Sequence, residues 1–463
     1  MSKHLISQKM ITFIISLSFF MEAVDSSVIN TAIPAMSQSF HVEPVDIKMA
    51  LISYLLSLAI FIPISGWIAD KMGAKKVFIS ALVIFTLSSL WCGLSNHLNE
   101  LIIARFIQGL GGALGLPVGR LILIRTFGRE NLINTMNQVV TVGALGMMLG
   151  PVIGGFITYH FSWHWIFLVN IPVGLLCVSL AYYYFDAAAP KKVPPLDKVG
   201  MIFFGAGLAG LTYGLSVLSE TNVSLVTPFT VLLMSIIMLI VYALHSRKQA
   251  NPIVNTQLLR LRTFRVSFAG NLLSRLGFGS VPFLVPLLLQ ICLGLSAQLS
   301  GLLLAPTAAG VLVAKRFSLA LLRHLGYKAL LVINTCFAGL SIGSFALIST
   351  HTSIYIISIL IFIYGFVMSL QYSAMNSLAY ADIAPDDLSA ATSIMGTLQQ
   401  LAQSFGVAVS AIFIRLFTLF FPKSAQLTPI VFHYTFFMIG IITVISTFIF
   451  MQLTHEDGQH MLL

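Results

Sequence analysis

Long apolar segments recur along the whole chain and are separated by short polar turns. An apolar stretch of about 20 residues crosses a bilayer as a helix, because lipid offers no hydrogen-bond partner to an open backbone. Fourteen such segments are predicted, at residues 11–33, 47–66, 77–95, 100–124, 136–159, 163–185, 198–218, 226–245, 267–292, 298–322, 327–348, 353–374, 395–420 and 432–453. The pattern therefore predicts an all-α polytopic membrane protein.

Basic residues lie almost entirely on one side of the predicted helices. Seventeen of the 25 Lys and Arg residues fall in loops on the side of the N-terminus, whereas the opposite loops hold only Lys48 and Lys423. Cytoplasmic loops carry such an excess of basic residues in membrane proteins. Both termini are therefore predicted to be cytoplasmic, and the net charge of +10 requires no nucleic-acid partner.

Two polar segments divide the predicted helices into groups of six, two and six. Residues 186–198 are rich in Pro and basic residues, and residues 246–266 combine five basic residues with three leucines, as in a helix that lies in the membrane interface. We predict an N-terminal six-helix bundle over 1–190, two extra helices over 191–250, and a C-terminal six-helix bundle over 251–463 that begins with this basic interfacial segment.

The cytoplasmic turns after the second and tenth predicted helices resemble each other. They read ADKMGAKKV (69–77) and LRHLGYKAL (322–330), and each places a basic residue, an apolar residue and Gly ahead of Lys. Paired repeats with a site between them are common in secondary transporters. The similarity therefore favours two related halves.

Composition restricts the class of protein further. Apolar residues make up 57% of the chain and charged residues 9%, whereas soluble domains carry about a quarter charged residues. The four cysteines lie in separate apolar segments, without the spacing of a metal or disulfide site. Neither a nucleotide-binding glycine loop nor an HExxH metal motif occurs. We therefore expect no enzyme activity, no metal and no cofactor.

The polar turn GWIADKMGAKK (66–76) carries one acid among three lysines. Asp70 is the acid, Lys75 is one of the lysines, and Gly66 and Gly73 allow a tight turn or a close approach. Two interpretations are open. The turn is a charged latch against a neighbouring helix end, or it is an ordinary basic cytoplasmic turn.

Two acids lie within the first predicted helix. Glu22 and Asp25 are about one turn apart and share a helix face. A carboxylate at the bilayer centre costs about 2.5–3.5 kcal/mol, so each should face a cavity or a partner. Burial disfavours the charged form, which suits a group that exchanges protons near neutral pH. The alternative is a permanently paired acid that holds helices together.

The fourth and fifth predicted helices offer a partner for these acids and a packing surface. Arg105 and Gln108 share a helix face, at a depth that allows Arg105 to pair with Asp25. Gln108 is also a candidate for the lining of a substrate cavity. An arginine that extends to the interface is the alternative. Small residues at helical spacing permit close packing of the fifth helix. They are Gly143, Gly146, Gly150 and Gly154, with Pro151 among them.

Arg275 is the least expected charge in the second half of the chain. It lies about 12 Å into the ninth predicted helix by helical rise, so it should pair with a protein acid or with an anionic substrate. Polar residues near it in the predicted bundle are Asn271, Gln371, Tyr372, Asn376, Gln399 and Gln403. For each of them a hydrogen bond between helices explains the position as well as substrate contact does.

Several of these segments resemble signatures of the major facilitator superfamily. GWIADKMGAKK resembles its loop between helices two and three, RFIQGLGGA (105–113) its fourth-helix motif, and GALGMMLGPVIGG (143–155) the fifth-helix motif of its antiporters. MEAVDSSVINTAIP (21–34) and WHWIFLVNIP (163–172) are similar to the drug:proton antiporter-2 branch, the fourteen-helix EmrB/QacA type, in particular its MdtD-like group. One departure is Arg323, which stands where the loop signature has Asp, so a latch in the second half would work differently.

This resemblance implies a fold and an activity. It implies the major facilitator fold and a proton-coupled antiporter that exports small amphipathic compounds or drugs across the bacterial inner membrane, with the proton gradient as its energy source. It implies a coupling role for Asp25, modulated by Arg105, and leaves Glu22 as a proton site or a substrate-facing group. It also implies that the glycine stripe of the fifth helix gives a flexible, tightly sealed interface between the two halves that suppresses leak. Arg275 and Arg105 favour a second candidate, export of a carboxylate, siderophore or metal chelate. We expect a monomer in the lipid bilayer, and the sequence leaves open whether a periplasmic adaptor joins it.

Overall fold

The computed structural model describes residues 3–127, 129–186, 190, 193–220, 223–224, 226–384, 387–421 and 427–461. Side chains are described in these ranges except at 3–7, 129–134, 137 and 389. Lys191, Lys192 and Lys423, which enter the predicted charge asymmetry, lie outside the described residues. The described chain is mostly helical and contains no β-strand, as the apolar pattern predicts.

Long helices joined by short turns make up the described chain. The first are α1 Lys3–Phe40, α2 Lys48–Met72, α3 Ala74–Leu94, α4 Leu98–Thr126, α5 Arg129–His160, α6 Trp165–Leu168, α7 Asn170–Tyr184, α8 Lys198–Val217 and α9 Val226–Ser246. The remainder are α10 Arg262–Leu287, α11 Ala297–Leu304, α12 Pro306–Ser344, α13 Ile354–Ala379, α14 Leu388–Phe420, α15 Pro429–Ile445 and α16 Thr447–Phe450. Single turns of 3-10 or π helix occur at Pro44–Ile47, Thr256–Arg260, Leu288–Cys292, Phe345–Leu347 and Gln459–Met461.

Among the described residues, 13 stretches are long and apolar enough to cross a membrane. One of them, Ala297–Leu347, holds 51 residues, which is about 75 Å of helix and more than twice the ~30 Å hydrocarbon core. It kinks at Gly326, whose φ of 72° is readily adopted only without a Cβ. The predicted tenth and eleventh helices meet at this glycine. The difference between thirteen and fourteen therefore lies in this one segment.

The chain divides into two compact units. The first unit comprises Met1–Leu196 with Ser296–Gly301, and the second comprises Asp197–Leu295 with Leu302–Leu463. The three-part division at residues 190 and 250 stays a prediction.

In the first unit, α4 packs against α2 and α3, and α1 packs against α5 and α7. Apolar side chains such as Phe78, Phe85 and Val118 form the core. Gly111 allows a close approach of α3 and α4, because a Cβ there would lie 2.8 Å from the backbone nitrogen of Phe85. Polar side chains on these helices are thereby brought within hydrogen-bond distance of one another.

In the second unit, α12 packs against α13, α10 against α14, and α8 against α9 and α14. An interfacial helix is predicted at 246–266, but between the end of α9 at Ser246 and the start of α10 at Arg262 the structure has irregular chain and the 3-10 turn Thr256–Arg260. Leu258 is buried in a cluster with Phe264, Ala391 and Ile394. Protein side chains, rather than lipid, therefore cover Leu258, one of the three leucines on which the interfacial helix was predicted, and Leu259 and Leu261 pack against the same cluster.

Candidate functional site

Asp25 and Arg105 form a buried ion pair in the first unit. Asp25 lies on α1 and Arg105 on α4, and Arg105 Nη1 donates a hydrogen bond of 2.6 Å to Asp25 Oδ2. Both residues are 0% exposed. The structure therefore contains the ion pair that the predicted depths of the two residues allow. The role of Asp25 and Arg105 in proton coupling stays a prediction.

Two amides complete the surroundings of the Asp25 carboxylate. Gln108 Nε2 on α4 donates to Oδ1 at 2.9 Å, and Asn170 Nδ2, at the start of α7, donates to the same oxygen at 2.7 Å. Gln108 also accepts from Arg105 Nη1 at 2.7 Å and donates to Ser89 Oγ at 2.8 Å. Asp25 thus accepts three hydrogen bonds, one of them from a charged donor. Both carboxylate oxygens of Asp25 are therefore bound within the network.

Aromatic rings enclose the Arg105 guanidinium. Its Cζ lies 4.2 Å from the ring centroid of Tyr54 and 5.6 Å from that of Phe167, and a desolvated cation–π contact contributes about 2 kcal/mol. Arg105 Nε has no hydrogen-bond partner among the described residues. Removing Asp25 would leave a buried charge uncompensated, which is strongly destabilising. The pair therefore holds α1 and α4 together.

Glu22 lies about one turn from Asp25 on α1 and takes no part in this network. Its side chain is 4% exposed, and Oε2 has no hydrogen-bond partner in the described part of the protein. Gly115 of α4 lies against it, since a Cβ there would overlap the Glu22 carboxyl group, and a Cβ on Gly112 would lie 3.2 Å from Tyr54 Oη and 3.8 Å from Glu22 Oε2. An unpaired charge is costly in such surroundings. Glu22 is therefore a buried carboxyl group that forms no ion pair among the described residues.

The loop between α2 and α3 contains an ion pair with a neighbouring helix end. Arg125 Nη2, in the last turn of α4, lies 2.5 Å from Asp70 Oδ1, and the two side chains are 26% and 33% exposed. Gly73 has a φ of 93°, which disfavours any residue with a Cβ. A Cβ on Gly66 would meet nothing within 4 Å, so close packing does not explain that glycine. Asp70 makes the contact that a latch requires, and its effect on the access state stays a prediction.

Lys75 binds the C-terminal end of α7. Its Nζ donates to the backbone oxygens of Tyr182 at 2.8 Å and Phe185 at 2.5 Å, and it lies 5.5 Å from the centroid of the Tyr182 ring. Helix C-termini leave carbonyl groups unpaired and carry partial negative charge. Lys75 therefore fixes the start of α3 to the end of α7.

Neutralising the acid of the loop, Asp70→Asn, is expected to shift the protein toward the state open to the cytoplasm. A pair of this exposure contributes about 1 kcal/mol or less, which corresponds to a change of up to about fivefold in the balance of states. Single cysteines are placed at helix positions that alternating access uncovers from the cytoplasmic or from the periplasmic side, in a chain without the four native cysteines. Labelling should become faster at the cytoplasmic positions and slower at the periplasmic positions. Arg125→Gln should reproduce the shift. Lys76→Gln, which removes an exposed charge of the same loop, is the control, and equal labelling of Asp70→Asn and parent would leave the loop an ordinary basic turn.

The glycine stripe of α5 faces α1. Cβ atoms on Gly146 and Gly154 would come within 2.7 Å of backbone oxygens of α1, and one on Gly150 would overlap an α1 serine side chain. Gly143 has its nearest atom at 3.7 Å, an ordinary contact, and Pro151 lies inside α5. Three of the four glycines thus permit the close packing of the helix that carries Glu22 and Asp25. The leak-suppressing role implied by the family resemblance stays a prediction.

Arg275 of α10 is held by two amides and a tyrosine ring in the second unit. Its Nε donates to Asn271 Oδ1 at 2.8 Å, its Nη2 donates to Asn376 Oδ1 at 3.3 Å, and its Cζ lies 3.8 Å from the ring centroid of Tyr372. Gln399 Nε2 donates to the same Asn376 oxygen at 3.3 Å. Within the described ranges, no carboxylate forms an ion pair with Arg275. The sequence allows either a protein acid or an anionic substrate as the partner of Arg275. Among the described residues, no protein acid pairs with it.

The remaining polar candidates of this unit differ in their surroundings. Gln371 is fully buried and binds Asn334 and Thr335 at 2.8 Å each, so it joins helices. Gln403 is exposed and lies one turn after Gln399 on α14. Among the described polar candidates of this unit, Gln403 and the partly exposed neighbours of Arg275 have side-chain surface that the protein does not cover.

Sequence reasoning did not identify Asn170, Ser89 or Tyr54 as site residues. Asn170 stands in the segment WHWIFLVNIP, where an amide at the start of an apolar helix was an available signal. Ser89 and Tyr54 have no distinguishing spacing. They reach the ion pair only through the packing of α2 and α3 against α4, which the apolar pattern does not specify.

Comparison with known proteins places this geometry in a family. The chain matches the model of the Major Facilitator Superfamily over residues 15–407. It is 36% identical over 451 residues to the transport protein HsrA of Haemophilus influenzae, covering 97% of each chain. It is 35% identical over 452 residues to the multidrug resistance protein MdtD of Escherichia coli, covering 97% of this chain and 95% of that protein. Both relatives carry provisional names.

Solved transporter structures share the fold at low identity. The POT family transporter PepTSo aligns with a TM-score of 0.72 at 13% identity, covering 96% of this chain and 97% of that one. A D-xylose–proton symporter aligns with a TM-score of 0.67 at 15% identity, covering 97% and 98%. The family match and the transport proteins among its relatives identify a multi-pass membrane transporter, not an enzyme. This chain belongs to the major facilitator superfamily.

Proposed function

We propose that this transporter is a proton-coupled antiporter that exports small amphipathic compounds across the bacterial inner membrane by alternating access. The observation that carries the proposal is that two carboxyl groups on α1 differ in their bonding partners. Asp25 is paired with Arg105, whereas Glu22 is buried without a partner for Oε2. A relative named for multidrug resistance supports the class of substrate. The proposal includes fourteen transmembrane helices, with Gly326 at the turn between the tenth and eleventh, and cytoplasmic termini.

The two carboxyl groups are suited to different roles. Neutralising Asp25 would leave the Arg105 charge without a counter-charge in a buried network, which is strongly unfavourable. Glu22 has no cation to lose, so it can be neutral while buried and charged when water reaches it. We therefore assign proton uptake and release to Glu22. Asp25, the first candidate from sequence, then keeps Arg105 in place.

Coupling follows from the position of Glu22 on α1. With Glu22 neutral, α1 can remain packed against α4 in apolar surroundings during the change between access states. With Glu22 charged, the group needs water or a substrate in contact with it, because a lone carboxylate is costly within a membrane. A proton that enters from one side and leaves on the other thus permits the return step of an export cycle.

Reconstituted vesicles with a pH-sensitive dye inside test the coupling. A pH gradient should drive an amphipathic dye against its own gradient, and a dye gradient should move protons in the opposite direction. A protonophore should abolish the concentrative step. Dye movement that a protonophore leaves unchanged would contradict proton-coupled antiport.

A second candidate, export of a carboxylate, siderophore or metal chelate, is supported by one feature. Arg275 carries a charge that no described carboxylate neutralises in an ion pair. The same vesicle assay, with radiolabelled carboxylate in place of dye, tests this candidate.

A further inference from the structure

The surroundings of Arg275 form a built site in the second unit that the proton-coupling roles do not use. Arg275 is 13 residues beyond Arg262, the first residue of α10, which is about 20 Å of helical rise. An arginine side chain cannot extend over that distance to reach the interface. The charge must be compensated where it lies.

The protein compensates this charge only in part. A guanidinium has five N–H donors, and two of them bind Asn271 and Asn376. Both acceptors are neutral amide oxygens, and the Asn376 oxygen is shared with Gln399. The Tyr372 ring covers one face of the guanidinium at 3.8 Å. The Tyr372 side chain also forms a hydrogen bond with the guanidinium. Together these contacts orient the guanidinium and account for three of its five N–H groups, so others remain for a further acceptor.

The polar side chains around Arg275 form a partly exposed strip. Arg275, Tyr372, Asn376 and Gln399 are each partly exposed, and Gln403 is exposed. They come from three helices, α10, α13 and α14. Each of these helices forms most or all of a stretch that is long and apolar enough to cross a membrane. Exposed polar groups inside membrane-spanning helices face water or a partner rather than lipid. The strip is therefore accessible to a solute.

We propose that Arg275 binds the carboxylate group of an amphipathic substrate. The planar guanidinium has N–H groups beyond those that bind Asn271, Asn376 and Tyr372, and such groups can bind the oxygens of a carboxylate. A hydrogen bond between two charged groups is stronger than one to a neutral amide. That the substrate is amphipathic rests on the proposed function. That its charged group is a carboxylate rests on the chemistry of Arg275 alone. A single positive charge suits one carboxylate and excludes a cation.

Binding to the purified full-length chain in detergent micelles tests the site without a proton gradient. The probes are naphthalene-2-carboxylate, its neutral amide and 2-naphthylmethylammonium, which share one ring system. The carboxylate is expected to bind about tenfold or more tightly than the amide, and the ammonium more weakly than either. Arg275→Gln should bring the carboxylate and the amide to equal affinity. Arg275→Lys should retain only a small preference, because an ammonium lacks the planar fork.

Two further variants keep the test independent of folding. Asn376→Asp changes one atom and places a carboxylate beside Arg275, so it should remove the preference for the added carboxylate in a folded protein. Arg415→Gln is the control. Arg415 is a partly buried arginine of α14 that donates to the Leu218 backbone oxygen at 2.9 Å, and its loss should leave the preference unchanged.

Failure of this inference and failure of proton coupling give different results. An equal affinity for carboxylate and amide in the unmodified chain, or an unchanged preference in both Arg275→Gln and Asn376→Asp, would overturn the carboxylate site. Antiport of a cationic dye could still be observed in that case. Conversely, selective carboxylate binding that depends on Arg275 supports the site even if a protonophore has no effect on transport.

Discussion

Glu22→Gln is expected to abolish proton-driven transport and to leave the protein folded and nearly as stable as before. The carboxyl group that is lost has an oxygen without a hydrogen-bond partner among the described residues, so an amide of the same shape should change the free energy of unfolding by about 1 kcal/mol or less. The variant cannot release a proton, and concentrative export in vesicles should fall to background. The apparent Tm in detergent should change little.

Two comparisons make this result specific to the proton. Glu22→Asp keeps an acid at the position and should retain part of the activity. Substrate exchange between equal pH values needs no net proton movement, so Glu22→Gln should still catalyse it. Undiminished gradient-driven transport by Glu22→Gln would remove Glu22 from the proton path and restore Asp25 as the carrier.

Asp25→Asn is expected to abolish transport for a different reason, because it also destabilises the first unit. The Arg105 charge, 0% exposed, would lose the carboxylate that lies 2.6 Å from it. Breaking a buried ion pair on one side costs about 3–5 kcal/mol. A clear fall in apparent Tm should therefore accompany the loss of export.

The double variant Asp25→Asn/Arg105→Gln separates the two effects. Removing both charges leaves no buried ion, so the apparent Tm should recover in large part, whereas transport should not. The coupling energy from this double-mutant cycle measures the pair directly. A stable, inactive Asp25→Asn protein would instead agree with Asp25 as a proton carrier whose charge is not required by the fold.

The helices and the charge pair could be predicted from the sequence for simple physical reasons. Apolar length specifies a membrane-spanning helix almost independently of tertiary packing. An acid and an arginine deep in neighbouring helices find few other charged partners there. Asp25 and Arg105 were expected to pair for this reason. Arg125 as the partner of Asp70 was not named, because the sequence predicts a neighbouring helix end without saying which one.

The differing states of Glu22 and Asp25 could not be predicted. The two acids share a helix face, yet the donors Gln108 and Asn170 reach only Asp25. That selectivity arises from how α4 and α7 pack against α1, and no local pattern contains it. The same limit applies to Leu258, whose burial depends on α13 and α14 rather than on the polarity of its own segment.

Cys92 gives the ion-pair network a native chemical reporter. Its thiol is 0% exposed, and Sγ lies 3.7 Å from Gln108 Oε1, one residue from the Arg105–Asp25 contact. A state that opens this network widely enough to admit a small maleimide would also expose the thiol. The rate at which a small maleimide alkylates Cys92, read by mass spectrometry on the unmodified chain, would therefore follow opening of the network during turnover without an introduced label.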